Sequence, residues 1–178
     1  LKGNSWYDVM TDTQHEYMDQ RNKNEKPDRE KDKMLSGGIK ELKRAAVEYK
    51  RRLRHDLKKT PNLKTLYKYG LWLSLRMFTE IPFRNDFANL KVKPNDTGNF
   101  IQTPKKGNFV LILRSFKNSD KLGPRKIDTS RSLSMALRKF LKYRDELVKH
   151  DFLLSTKTGE RLSKSAFGKA MHKLTLDL

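Results

Sequence analysis

The chain has 178 residues, 40 of them Lys or Arg and 21 Asp or Glu, so its formal net charge is +19 at pH 7. A compact chain retains self-repulsion of that size when a polyanion neutralises it, which makes nucleic acid the leading partner and a merely soluble basic protein the alternative. The lack of any cysteine excludes disulfides and thiolate zinc sites, and no stretch approaches the roughly 20 apolar residues that cross a bilayer.

A first helix is predicted from Asn4 to about Arg21, with Trp6, Val9, Met10, Tyr17 and Met18 as a thin apolar stripe. The segment 22–33, NKNEKPDREKDK, is charged, lacks large apolar residues and carries a proline. It reads as a linker between residues 1–33, the end of a preceding DNA-binding domain or arm, and a main domain over 34–178, with a solvated surface turn as the alternative. Ser36 opens a second helix to about Lys58 with Ile39, Leu42, Ala46, Tyr49, Leu53 and Leu57 on one side. Pro61 and Asn62 reset the chain, and a third helix from Leu63 to about Thr79 is apolar nearly all round, which places it in the core.

Strand signals follow at Leu90–Lys93, Asn99–Thr103, Asn108–Phe116 and Arg125–Asp128. The continuous apolar run Phe109–Leu113 marks the third of these as the centre of the sheet. A fourth helix is predicted from Thr129 or Ser130 to about His150 on the stripe Leu133, Leu137, Phe140, Leu141 and Leu147, then a short strand over Phe152–Ser155 and a turn on Gly159. Ser163 caps a last helix carrying Ala166, Phe167, Ala170, Met171 and Leu174. The fold class is therefore α+β, mostly helical with a small antiparallel three-stranded sheet. His15, His55, His150 and His172 show no metal-ligand spacing, and no basic-then-apolar leader opens the chain. These features point to an intracellular protein, and a chain that opens on Leu and closes inside a helical pattern is expected to belong to something longer.

Two cations stand where local structure does not ask for one. Arg84 follows the buried third helix and the break at Pro82, and Lys117 sits on the turn between Asn108–Phe116 and Arg125–Asp128. Such a pair suits a site in which two cations meet on one phosphate. Lys43, Arg44, Lys50, Arg51, Arg52 and Arg54 give the second helix a cationic face that either lines a phosphate backbone or is simply solvated. Lys121, Arg125 and Lys164 extend the candidate DNA-binding set.

This order of elements, with Arg84 in PFRNDFANLKV, Lys117 in RSFKNSDKLGPRKID and the later FLLSTKTGERLSKSAFGKAM, resembles the catalytic domain of tyrosine recombinases. The likeness is closest to the crypton-type group of eukaryotic mobile elements and large DNA viruses, and it covers Leu35 to Leu178. It implies a duplex DNA partner, a possible homo-oligomer on DNA, a nuclear or virion-associated location, and neither metal nor small-molecule cofactor. It also implies metal-free phosphoryl transfer, in which a tyrosine attacks a phosphodiester and forms a 3′-phosphotyrosyl link. Arg84 then binds the non-bridging oxygens, Asp86 orients Arg84, and Lys117 protonates the leaving 5′-oxygen.

The chain departs from that family in one respect. A second arginine in an Arg-x-x-His-like box and the nucleophilic tyrosine follow the family's counterpart of the Phe167 helix. Here Tyr7, Tyr17, Tyr49, Tyr67, Tyr69 and Tyr143 all precede it, so none matches the nucleophile. The expectation is a DNA-binding portion of a strand-exchange protein, inactive alone. The alternative is a non-enzymatic basic nucleic-acid-binding or particle protein that reuses the fold.

Overall fold

The computed structural model describes residues 6–23, 38–81, 85–104, 107–116 and 119–176. It is mixed α+β, mostly helical, with one three-stranded antiparallel sheet. The chain divides into two units, Leu1–Glu41 and Leu42–Leu178. In the first, α1 spans Trp6–Asn22, and its stripe residues Trp6, Val9, Met10, Tyr17 and Met18 are all exposed.

Helix α2 (Gly38–Leu53) crosses the division and ends in a 3-10 turn over Asp56–Lys58. The predicted apolar side holds for Ala46 and Leu53, which are buried, and for Leu42, Tyr49 and Leu57, which are partly so. Ile39 is the exception at 61% exposure, one turn ahead of where the helix begins to pack. Helix α3 (Leu63–Phe78) starts where Asn62 accepts from the Thr65 N–H at 2.9 Å, and it is the centre of the core. Leu66, Tyr69, Gly70, Leu71, Trp72, Leu73, Ser74, Leu75 and Met77 are all buried. At Gly70 the bare backbone lets neighbours close in, since a Cβ there meets Leu154 Cδ2 at 3.1 Å.

The sheet has the order β1 (Phe100–Gln102), β2 (Val110–Leu113), β3 (Arg125–Asp128), with the apolar strand in the middle. Its strands are shorter than the sequence predicts. Asn108 and Phe109 precede the ladder and Arg114–Phe116 follow it, because the Asn99 side chain takes over at the exit of β2. Asn99 Oδ1 accepts from the Arg114 and Ser115 N–H groups at 2.9 Å each, and its Nδ2 donates to the Ser115 carbonyl at 2.7 Å. Between β2 and β3 lies a single helical turn, α4 (Ser119–Leu122), where the sequence suggests a plain turn.

The predicted strand Leu90–Lys93 contracts to one residue paired on both sides. Lys91 bridges Phe100 in parallel and Phe152 in antiparallel sense, while Phe152–Ser155 likewise reduces to isolated bridges. Helix α5 (Arg131–Asp145), capped by Ser130, ends short of His150 because Arg144 turns its side chain into the following loop. Arg144 is 2% exposed and donates to the Phe152 carbonyl from Nε at 3.0 Å and Nη2 at 2.8 Å, and to the His150 carbonyl. At the other end of α5, the Ser134 hydroxyl accepts from the Phe109 N–H at 3.0 Å while Thr129 Oγ1 donates to the Phe109 carbonyl at 2.9 Å. The last helix, α6 (Lys164–Leu176), buries Phe167, Met171 and Leu174.

Arg144→Met preserves bulk but leaves two carbonyls without donors, so a loss of about 1–3 kcal/mol of unfolding free energy per orphaned group is expected, read from denaturant unfolding. Arg144→Lys recovers only part of it, since an ammonium lacks the planar fork. Tyr69 supplies a pH test. Burial against Trp72, Phe140 and Tyr143 pushes its hydroxyl from 10.0 up to about 12. The folded state thus holds a proton that the unfolded chain releases above pH 10, and the stability this contributes is lost as pH rises through about 12. Denaturation of the native chain and of Tyr69→Phe over that range isolates the effect, with the shallower decline expected in the variant.

Candidate nucleic-acid interface

Successive residues turn by about 100° around an α-helix, so Lys43, Arg44, Lys50 and Arg51 share one arc of α2, and Arg54 follows just past its end. All five are exposed. The arc has the exposed Val47 at its middle and is opposite to the buried Ala45. Local pairing is limited. Arg51 meets Glu48 at 3.1 Å, and Lys50 stands 5.1 Å above the Trp72 ring, whose indole N–H donates to the Ala46 carbonyl. Arg52, grouped with these in the sequence, lies on another side of the helix and belongs to a different surface.

A second cationic stretch lies at one end of the sheet. Lys91 runs parallel to β1, so the chain enters from Leu90 beside Asn99, and β2 leaves at that same end through Ser115. Arg125, opposite Leu113, opens β3 there, and Lys121 precedes it on α4; both are exposed. Lys164 is exposed at the start of α6, the helix against which the 3-10 segment Asn85–Asn89 packs. Phe87 anchors that segment, fully buried with its ring 4.9 Å from Phe78, which in turn stacks on Phe167 at 6.3 Å. Arg84, Lys117 and the side chain of Asp86 lie outside the described residues.

Several guanidiniums serve the fold instead of a surface. Arg114 donates to the Asn95 carbonyl and covers the Phe100 ring at 5.4 Å. Arg161 lies 3.9 Å above Phe152 and donates to Asn89 Oδ1 at 2.8 Å, tying the turn before α6 to the end of the 3-10 segment. Arg76 pairs with Glu80 at 2.7 Å. Two lysines are also held: Lys68 and Lys93 donate to Asp56 and Asp151 and keep those carboxyls below the usual range. The roles of Asn99, Arg114, Arg144 and Arg161 are not legible in the sequence, because their partners are backbone groups, rings and one amide oxygen that only the packed elements bring within reach. The one hint is Arg144, a cation beside the apolar stripe of α5.

Among the described residues no group of three or more His, Asp or Glu side chains is placed to hold a metal ion, and no helix is long and apolar enough to cross a membrane. The described surface therefore offers fixed positive charge on two stretches, with the end of the sheet held rigidly by Asn99. No protein-family model, curated protein or solved structure matches the chain.

Proposed function

We propose that this chain is the duplex-DNA-binding portion of a strand-exchange protein of the tyrosine recombinase type, inactive by itself. The supporting observation is the strand pairing. Lys91 beside Phe100, and β2 antiparallel to β1, bring Leu90 and Ser115 to the same end of the sheet. Arg84 lies a few residues before the first and Lys117 two after the second. In this reading both cations meet one phosphate, with Lys121 and Arg125 beside them and the α2 arc following the backbone elsewhere. Exposed lysines and arginines on two stretches bind through counterion release, with little dependence on base sequence.

A second reading, a basic nucleic-acid-binding or particle protein without catalysis, is favoured by the tyrosines. Burial raises the hydroxyls of Tyr49, Tyr67 and Tyr69 above 10.0, away from the ionisation that attack on phosphorus requires. Both readings leave the 178-residue chain inactive, so they separate on the phosphate pair.

Duplex affinity is expected to fall steeply between about 50 and 200 mM salt, by three to five orders of magnitude if six to ten phosphates are contacted. A flat titration removes nucleic acid as the partner. Arg84→Ala and Lys117→Ala, singly and together, then test the site. Two cations on one phosphate give a non-additive pair, with a coupling of about 0.5–3 kcal/mol in duplex affinity. Strict additivity favours the scaffold. On a nicked duplex, the 178-residue chain is expected to form no covalent adduct, and an adduct overturns the inactive assignment.

A further inference from the structure

The cationic residue that α2 turns away from its exposed arc, Arg52, lines a pocket of about 290 Å³ together with Tyr49, Tyr67, Leu71, Lys157, Ala170, Lys173 and Leu174. The size is at the lower edge of small-ligand sites, roughly 300–1,000 Å³, so it takes one planar ring with its substituents and excludes a helix or strand. Its floor is apolar: Leu71 and Leu174 are buried and Ala170 is partly so. Its rim carries three cations from three elements, Arg52 of α2, Lys157 of the turn at Gly159 and Lys173 of α6; no carboxylate lines it, and Glu48, which lies outside the lining, meets Arg52 Nε at 3.5 Å.

Several details show a built site. Lys157 is set by a stiff turn, in which the Thr156 N–H donates to the Glu160 carbonyl at 2.7 Å and the Glu160 N–H to Thr156 Oγ1 at 3.2 Å. Gly159, at φ +89°, a conformation that L side chains rarely adopt, lies against Leu63 of α3, whose Cδ2 a Cβ would meet at 3.3 Å. Lys157 Nζ stands 5.5 Å above the Tyr67 ring, a loose cation–π contact on a flexible stem that a stacking base displaces as the ammonium moves to its phosphate. Tyr49 and Tyr67 are half-buried, yet neither hydroxyl hydrogen-bonds to a described residue. Two phenols and three cations therefore line one small pocket with an apolar floor, a set of groups that complements a planar ring bearing acceptors and an attached anion.

We propose that this pocket seats one unpaired base of a single-stranded nucleic acid, stacked on Tyr67, with its phosphate held by Arg52, Lys157 and Lys173. A single strand is the occupant the chemistry favours. Its bases are free to leave the stack, aromatic stacking serves any base, and the rim cations lie on separate elements so that a backbone enters and leaves past them. The site stands apart from the duplex reading, since a base held in a pair does not present its face to a ring set into a pocket of about 290 Å³.

Fluorescence anisotropy with a labelled short oligothymidylate and a labelled duplex of equal length decides the matter. Tyr67→Leu is expected to weaken oligothymidylate binding roughly tenfold and to change duplex affinity by less than about twofold. Lys157→Gln combined with Lys173→Gln alters two exposed side chains, leaves the core untouched, and is expected to lower the single-strand salt slope by about 1.4. That double variant decides the question if Tyr67→Leu lowers the melting temperature. Unchanged oligothymidylate affinity in the lysine variant, or an equal loss on duplex, overturns the proposal. Displacement of the oligonucleotide by free thymidine monophosphate at equal affinity overturns the strand assignment and makes the site one for free nucleotides. Loss of duplex binding alone counts against the proposed function and not against the pocket.

Discussion

The backbone at Lys91 is the hinge pin of the main unit, because it is paired on both edges. The Lys91 N–H donates to the Asn99 carbonyl at 2.9 Å and its own carbonyl accepts from Ile101 at 2.8 Å. On the other edge the Val92 N–H reaches the Asp151 carbonyl at 2.8 Å and Leu153 N–H the Leu90 carbonyl at 2.7 Å. One residue thus extends the three-stranded sheet towards the loop that follows α5. Buried backbone groups need partners, so this segment cannot shift without unpairing both the sheet and that loop. Arg144 secures the far side by holding the carbonyls of His150 and Phe152.

That constraint explains why the cationic residues fall into two classes. Guanidiniums with a planar fork fasten carbonyls and rings across elements, as Arg114, Arg144 and Arg161 do. The others, lysines together with Arg44, Arg51, Arg54 and Arg125, stay on the outside, hydrated and able to meet a phosphate. The net charge of +19 therefore overstates what is offered to a partner, since Arg114, Arg144 and Arg161 are held within the fold while Arg44, Arg51, Arg54 and Arg125 remain exposed. Surface pairs such as Lys68–Asp56 and Lys93–Asp151 add little to stability, but each removes a carboxylate that would otherwise repel a polyanion.

The same division separates binding from chemistry. A phosphate-binding surface needs only exposed charge in the right places, and both stretches supply it. Phosphoryl transfer needs, in addition, a nucleophile whose proton leaves readily. Tyr49, Tyr67 and Tyr69 sit in surroundings that hold the proton more firmly, since burial disfavours the phenolate. Their rings instead pack the core or line the pocket beside Arg52.

Much of this architecture was legible in the residues. An all-round apolar run placed Leu63 to about Thr79 in the core, Thr129 or Ser130 and then Ser163 marked helix starts, and the run Phe109–Leu113 marked the central strand. Periodicity and capping are local properties, so the sequence determines them almost unaided. It overestimated strand length at Leu90–Lys93 and Asn108–Phe116 because an extended apolar stretch says nothing of which partner pairs with it. Tertiary structure alone decided that Asn99 closes β2, that Arg144 is buried, and that Arg52 parts from its neighbours to join Tyr49, Tyr67, Lys157 and Lys173. Those arrangements depend on contacts between residues far apart along the chain, and their energy exists only once the elements have packed.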